Sequence, residues 1–454
     1  MGNAETCLGG IVKVISSITY EAMPPEVIQK AKECLADFVG IFANGTQKST
    51  ARCLEEALKD DILTNPESMA LWMGSTARML DIDDGHRFAM AHPGVVVNAA
   101  AIAVALKQEA VTGRKLLEAI VRGYELYCYQ GRVINPSAYL KRGVDATCVC
   151  GAAAAAAVAG TLMDLNEAQL ADGISLAASL AGGLNQSAID GSAQKYLVAG
   201  WGAKLGIAAA KLARYGMGGP CRVFEGKLGF CNAFAPDPDW DYLNNPKLVW
   251  DIKSVYIKRY ACVRRIHATL DAISDIIKTE GLGEADIRVI NVYGSQFLYD
   301  AGGYDPSDMA QAQTSVPYVT AILLKHGRVE DNLVHQNLNN QEIAEYSRKV
   351  TVSKDPEIIQ LAEQDKSLWG AAKVEIICND GRCFKKRQVV PYGDPELALP
   401  EGAIAEKFVK HVEEISEHEY AAGLWSAFMG IDQVLDVSGV FDKLLNRLMN
   451  VQGE

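Results

Sequence analysis

Between Asp81 and Gly94 the chain reads Asp81-Ile82-Asp83-Asp84-Gly85-His86-Arg87 and then His92-Pro93-Gly94. Three carboxylates, two imidazoles and a guanidinium stand together in otherwise apolar sequence. Imidazole titrates near neutrality and burial tunes carboxylates, so these residue types can move a proton. At a helix end the same acids can instead cap backbone N–H groups, and spacing alone leaves both readings open. The twelve-residue calcium loop and the HExxH zinc spacing are absent, so no metal site is expected.

A second group is Gly191-Ser192-Ala193-Gln194-Lys195, followed by Ala199-Gly200-Trp201-Gly202. A lysine at the start of a small-residue helix is either a solvated end or an ammonium that needs an anionic partner. The third group is Lys258-Arg259-Tyr260 with Arg264, Arg265 and His267. It reads as a solvated helix face or as a wall that holds carboxylates through charge-assisted donors. There is no Rossmann glycine fingerprint, P-loop or GxSxG elbow, hence no cofactor signal.

The elements that must position these residues are mostly helical. Pro24-Pro25 followed by Glu26 starts a helix, with Val27, Ile28, Ala31, Cys34, Leu35 and Phe38 on one face. Ala146 to Met163 carries no charge, but its alanines and glycines have little transfer energy. It therefore reads as a helix buried among helices and not as a membrane span. After about Ile266 the texture changes. Ile287 to Tyr293 and Lys373 to Cys378 alternate as strands, the second ending in the hairpin signal Asn379-Asp380-Gly381-Arg382 with a further short strand to Val390. Helical patterns lie near Val316 to Leu324 and Pro356 to Gln364, and helices resume from Gly402. The expected fold is mainly α: a large all-helical domain (1–266 and 396–454) interrupted by an inserted α+β lid domain (267–395).

The 454 residues carry a formal charge of −12 with no Lys/Arg run, which argues against a nucleic-acid partner. The eleven cysteines are odd in number, scattered and without a CxxC pair, which points to a reducing, cytoplasmic setting. The start lacks a signal-peptide pattern, and the short Met1-Gly2…Thr6 match to a myristoylation signal is set aside.

In this order, the clusters resemble segments of the MmgE/PrpD superfamily of 2-methylcitrate dehydratases, cis-aconitate decarboxylases and iminodisuccinate epimerases. Leu80-Asp-Ile-Asp-Asp84 with His92-Pro93 is similar to its "LDFDD…HP" segment, and Gly191 to Gly200 to "GSMTK…HAG". Lys258-Arg-Tyr-Ala-Cys262 with His267 resembles "K-x-[FY]-P-x-C…H", and Ser315-Val-Pro-Tyr318 resembles "FSxxY". Asp380-Gly381, Gly393-Asp394-Pro395 and Lys407-Phe408 resemble later punctuation.

The resemblance implies a homodimer that needs no metal or organic cofactor and acts on a small di- or tricarboxylate. It carries over Asp81, His92, Lys195, Lys258 and Tyr318 as catalytic. Lys195 and Lys258, helped by Arg264, would hold carboxylates, and His92 or a nearby acid would move the proton. Tyr318 would donate from the lid, with Arg87 and His267 as further substrate contacts. Three departures stand out. Asp145 occupies the place of a family histidine, Val198 replaces another, and Gly85 stands where relatives often have Thr or Ser. His86 or Asp145 is the candidate replacement for the lost imidazole. The expected activity is that of a lyase or isomerase abstracting a proton α to a carboxylate, nominally a methylcitrate-type dehydratase. The alternatives are epimerisation or decarboxylation of a related acid, or a non-catalytic carboxylate-binding protein.

Overall fold

The computed structural model describes residues 6–451, so the myristoylation-like start lies outside the described residues. The chain forms two compact units. The first comprises Met1–Ser187, Ala193–Tyr256 and Pro400–Glu454, and the second Ala188–Ser192 and Ile257–Leu399. The mainly α architecture with a smaller α+β part is as the sequence leads one to expect. The longer segment of the second unit, Ile257–Leu399, contains Lys258 and Arg264.

In the first unit the framework helices are α1 (Pro25–Gly45), α2 (Pro66–Arg78), α3 (Gly94–Ala105), α4 (Gly113–Ile134), α5 (Ala146–Leu162), α6 (Gln194–Arg214) and α7 (Ala403–Val412). α1 starts at its second proline, where the missing N–H costs nothing, and buries Val27, Ala31, Cys34, Leu35 and Phe38. Ile28, expected on that face, is only partly buried. α3 and α5 are apolar all round, and every residue of each is buried. Among the described residues no helix is long and apolar enough to cross a membrane.

Small residues set how closely these helices pack. A Cβ on Gly200 of α6 would stand 2.1 Å from the Leu71 carbonyl of α2, and one on Gly74 of α2 would stand 3.0 Å from Gly200 Cα. On the other side of α6, a Cβ on Gly206 would meet the Ala152 carbonyl of α5 at 2.4 Å. α6 is therefore seated between α2 and α5 at a separation that only glycine permits, and this places its first turn against the end of α2.

Two short strands, β1 (Gly85–His86) and β2 (Val255–Tyr256), pair antiparallel in this unit. At two residues each, they leave no alternation to read in the sequence. The second unit holds a four-stranded sheet of β3 (Ile287–Gly294), β4 (Val350–Lys354), β5 (Ala372–Cys378) and β6 (Cys383–Gln388) in the order β4-β3-β5-β6. β3 and β5 are the expected strands, and β5 and β6 form the hairpin. β4, not anticipated, pairs parallel with β3. The inward residues Ile290, Val292, Val350, Val374 and Ile376 pack with Leu270 and Ile273 from the helix His267–Glu280 and Val319 and Ile322 from the helix Val316–His326. All eleven cysteines are unbridged.

Candidate active site

α2 ends at Arg78, and the chain turns sharply through Asp81, whose φ is +51°. This left-handed conformation is unfavourable for a residue with a side chain and persists only when the surroundings hold it. Arg78 supplies one hold, since its Nη1 donates to Asp81 Oδ1 at 2.7 Å and to Asp83 Oδ1 at 2.9 Å. The seat of α6 supplies the second: Lys195 Nζ donates to Asp81 Oδ2 at 3.2 Å. Burial works against the Arg78 charge, but Asp83, Asp81 and Asp145 outweigh it and hold the guanidinium above its ordinary pKa.

On the other side of Arg78, Asp83 Oδ2 lies 3.0 Å from His92 Nδ1, and the Asp84 carbonyl lies 2.8 Å from the same nitrogen. A carbonyl only accepts, so Nδ1 carries the proton and the lone pair of the neutral ring sits on Nε2. The Asp84 side chain anchors the return of the chain: Oδ1 accepts from Gly94 N at 2.8 Å and Oδ2 from the Tyr124 hydroxyl at 2.6 Å. A Cβ on Gly94 would lie 2.5 Å from Asp84 Oδ2, so glycine is required at the start of α3. Burial pushes the Asp84 carboxyl up to about 7, against the hydrogen bonds from Tyr124 and Gly94 and with Asp37 and Asp83 adding to the rise.

Arg78, Asp81, Asp83, His92 and Lys195 thus form one cluster. The Arg78, Asp81 and Asp83 side chains are at most 8% exposed, whereas His92 is 17% and Lys195 11% exposed. The imidazole and the ammonium are the members that reach the surface of this unit, on a buried scaffold of two carboxylates and a guanidinium. Such an arrangement can take a proton at Nε2 and stabilise negative charge at Nζ. Among the described residues no three His, Cys, Asp or Glu side chains converge as a metal-ligand set.

The remaining expected residues fall elsewhere. His86 is fully buried in β1, with Nε2 3.4 Å from Asp251 Oδ1 and Nδ1 accepting from Ala89 N at 3.1 Å. Arg132 grips Asp251 with both arms of its fork, at 3.0 and 2.6 Å. Burial lowers the His86 pKa; it would raise that of Asp251, but the hydrogen bonds from His86 and Arg132 hold this carboxyl down to about 2. His86 is thus built into a buried ion cluster. Arg87 lies over the Phe88 ring at 5.0 Å. Asp145 caps α5 by accepting from Thr147 N at 2.9 Å, and its charge acts on Arg78. Gly85 is explained by Tyr256, whose hydroxyl stands 2.1 Å from where a Cβ at 85 would be.

In the second unit Lys258 is buried, and Arg264 is engaged bidentately by Asp394. His267 Nε2 lies 3.2 Å from the Cys262 carbonyl, with its ring edge-on to Tyr260 at 5.2 Å. Tyr318 is buried in the core of this unit and donates its hydroxyl to the Val334 carbonyl at 2.8 Å. The residues that reading the sequence missed are Arg78 and the holding roles of Asp83 and Asp84. The signal was an arginine three positions before Asp81 at a helix end.

A helical unit carrying a carboxylate-steered imidazole and a lysine linked through one buried Asp–Arg–Asp chain, interrupted in sequence by an α+β unit, defines the class. The chain belongs to the MmgE/PrpD family, with the MmgE/PrpD N-terminal domain matching residues 10–243 and the C-terminal domain residues 260–424. It is similar to the cis-aconitate decarboxylase of Aspergillus terreus, 24% identical over 94% of each chain. A cis-aconitate decarboxylase-like protein of Aspergillus oryzae is also 24% identical, over 93% of this chain and 94% of its own. The human cis-aconitate decarboxylase is 24% identical, over 91% of this chain and 89% of its own.

Proposed function

We propose that this chain is a lyase that breaks a bond next to a carboxylate of a small di- or tricarboxylic acid by moving a proton at the α carbon. The observation that carries this reading is the pairing of His92 with Asp83 and of Lys195 with Asp81, both carboxylates being held by the one Arg78. His92 Nε2 takes the α proton, and Asp83 stabilises the imidazolium that forms. The electron pair left behind spreads into the adjacent carboxylate, giving enolate-like charge that Lys195 neutralises, with Arg78 buried behind Asp81. The imidazolium hands that proton to the β hydroxyl, which departs as water while the electron pair on the α carbon forms the alkene, so the ring ends neutral. This dehydration of a methylcitrate-like acid is the nominal reaction.

A second reading is favoured by the names of the relatives. The substrate carboxylate leaves as carbon dioxide, and His92, entering this reaction as the imidazolium with a proton taken up from solvent at Nε2, gives that proton to the resulting carbanion and ends neutral. Epimerisation would stop at the enolate-like stage of the first reaction, with no bond to oxygen or carbon broken, and return a proton to the opposite face of the α carbon. In each case the chain's own cations supply the stabilising charge. A homodimer is the proposed assembly, supported by the exposed Leu197 and Trp201 one turn apart on α6.

The test is to incubate the purified protein in heavy water with citrate, methylcitrate, cis-aconitate and aspartate-derived acids, and to follow them by NMR. Deuterium entry at the α carbon, or formation of alkene or carbon dioxide, supports the reading. Absence of both for every acid overturns it.

A further inference from the structure

We propose that Lys407, on α7, is a positioning residue for the Asp81–Asp83 segment, an inference that rests on the proton-transfer reading above. Lys407 Nζ donates to the Ile82 carbonyl at 2.8 Å and lies 2.7 Å from Asp37 Oδ1 of α1. The two side chains are 10% and 2% exposed. The Ile82 carbonyl belongs to the peptide that joins Ile82 to Asp83, which holds His92, one residue beyond Asp81, which holds Lys195. Fixing that peptide plane sets the direction in which the Asp83 side chain leaves the backbone and limits the turn that Asp81 begins. The left-handed Asp81 makes such a hold necessary, because the local backbone does not favour this turn by itself.

The position of the ammonium is itself determined by packing along α1. Phe408 lies on Gly40, where a Cβ would stand 3.1 Å from its ring, and it packs on Trp425 and Phe428 at 5.6 and 5.9 Å. One turn beyond Lys407, His411 Nδ1 lies 2.8 Å from Asn44 Nδ2. Residues 407, 408 and 411 of α7 therefore meet residues 37, 40 and 44 of α1 in step, which fixes the register of the two helices. Burial, helped by the charges of Lys407, Lys410 and Lys48, holds His411 down to about 3, so this contact is a neutral one across the physiological range.

A buried ion pair that served stability alone could be exchanged for apolar side chains at no loss. A hydrogen bond to a carbonyl in the site could not. This difference separates the two roles. Lys407→Met should lower both stability and turnover, because it also strands the Asp37 charge. In Lys407→Met/Asp37→Leu the stranded charge is gone. Its melting temperature should return most of the way to that of the unmodified protein, while kcat stays down by about tenfold or more at nearly unchanged KM. The ¹⁵N resonances of His92 give a readout that needs no substrate. The unmodified protein should show the Nδ1-protonated tautomer, and the double variant a mixture. Lys407→Arg, which keeps a donor, should recover part of kcat.

A double variant with normal turnover and the normal tautomer overturns the proposal. If no acid is turned over by the unmodified protein, the lyase reading fails, while the imidazole spectra still decide the role of Lys407. Should the double variant not fold, Lys407→Met with Asp37→Asn, which likewise removes the donor without stranding a charge, supplies the same comparison.

Discussion

Asp83 Oδ2 lies 3.0 Å from His92 Nδ1, and the Asp84 carbonyl lies 2.8 Å from the same atom. Together they turn the imidazole so that its basic nitrogen is Nε2, in a ring whose side chain is 17% exposed. Asp83 also shares Arg78 with Asp81, so the orientation of the base and the placement of Lys195 depend on one buried guanidinium.

Replacing Asp83 by Asn removes the carboxylate that steadies the imidazolium and adds a donor that opposes the Nδ1 proton. We expect kcat to fall by about 10²- to 10⁴-fold with KM little changed, as for other carboxylate-oriented histidines. Steady-state kinetics check this. A variant whose KM rises while kcat is kept would show that Asp83 serves binding and not the base.

Lys195→Met removes the surface-reaching cation and leaves Asp81 paired with Arg78, so the fold should survive. We expect kcat/KM to fall by about a hundredfold or more, since enolate-like charge then lacks its neutralising partner. Calorimetric titration with citrate should show weakened binding, and circular dichroism an unchanged helix content. Unaltered turnover would remove Lys195 from the mechanism.

Asp84 and Glu125 predict how stability follows pH. Burial raises both carboxyls to about 7, Asp84 against Tyr124 and Gly94, and Glu125 against the N–H groups of Val249 and Asp251. Both are ordinary acids when unfolded, so the folded state binds the proton more tightly. Their stabilisation is complete below about pH 4 and is lost as pH rises through about 7, at about 1.4 kcal/mol for each unit of difference. Denaturant midpoints should therefore decline from pH 5 to pH 8, and Asp84→Asn or Glu125→Gln should flatten the decline. Asp251 acts in the opposite sense, its contribution being lost only as pH falls toward about 2. A midpoint that rises over this range would refute the assignment.

Gly200→Ala should lower stability by about 1–3 kcal/mol, because its Cβ would stand 2.1 Å from the Leu71 carbonyl, a backbone atom that cannot step aside. The shift of α6 should also weaken turnover by moving Lys195. Gly423→Ala is the control. It lies within the helix His418–Met429 with nothing near its would-be Cβ, and should stabilise by about 0.5–1 kcal/mol. Equal melting temperatures for the two variants would sink the packing argument.

Much of this molecule could be read along the chain. The alanine-rich stretch from Ala146 is a wholly buried helix because nothing on its surface seeks water. β3, β5 and their hairpin follow from alternation and from Asn379-Asp380-Gly381. β1, β2 and β4 were not legible: the first two are two residues long, and β4 is half polar and relies on a parallel partner.

The candidate site divides in the same way. Side-chain chemistry is a local property, so the sequence by itself determined that Asp81, Asp83, His92 and Lys195 are groups able to move protons and hold carboxylates. Which of them meet was decided by the tertiary structure, because Lys195 lies 114 residues from Asp81 and Lys407 lies 325 from Ile82. His86 and His92 look equivalent in sequence, but β-pairing buries the first against Asp251, while Asp83 turns the second toward the surface of its unit. The cause is the close seat of α6 on α2, set by Gly74 and Gly200, which places an ammonium beside a carboxylate that sequence spacing could not pair.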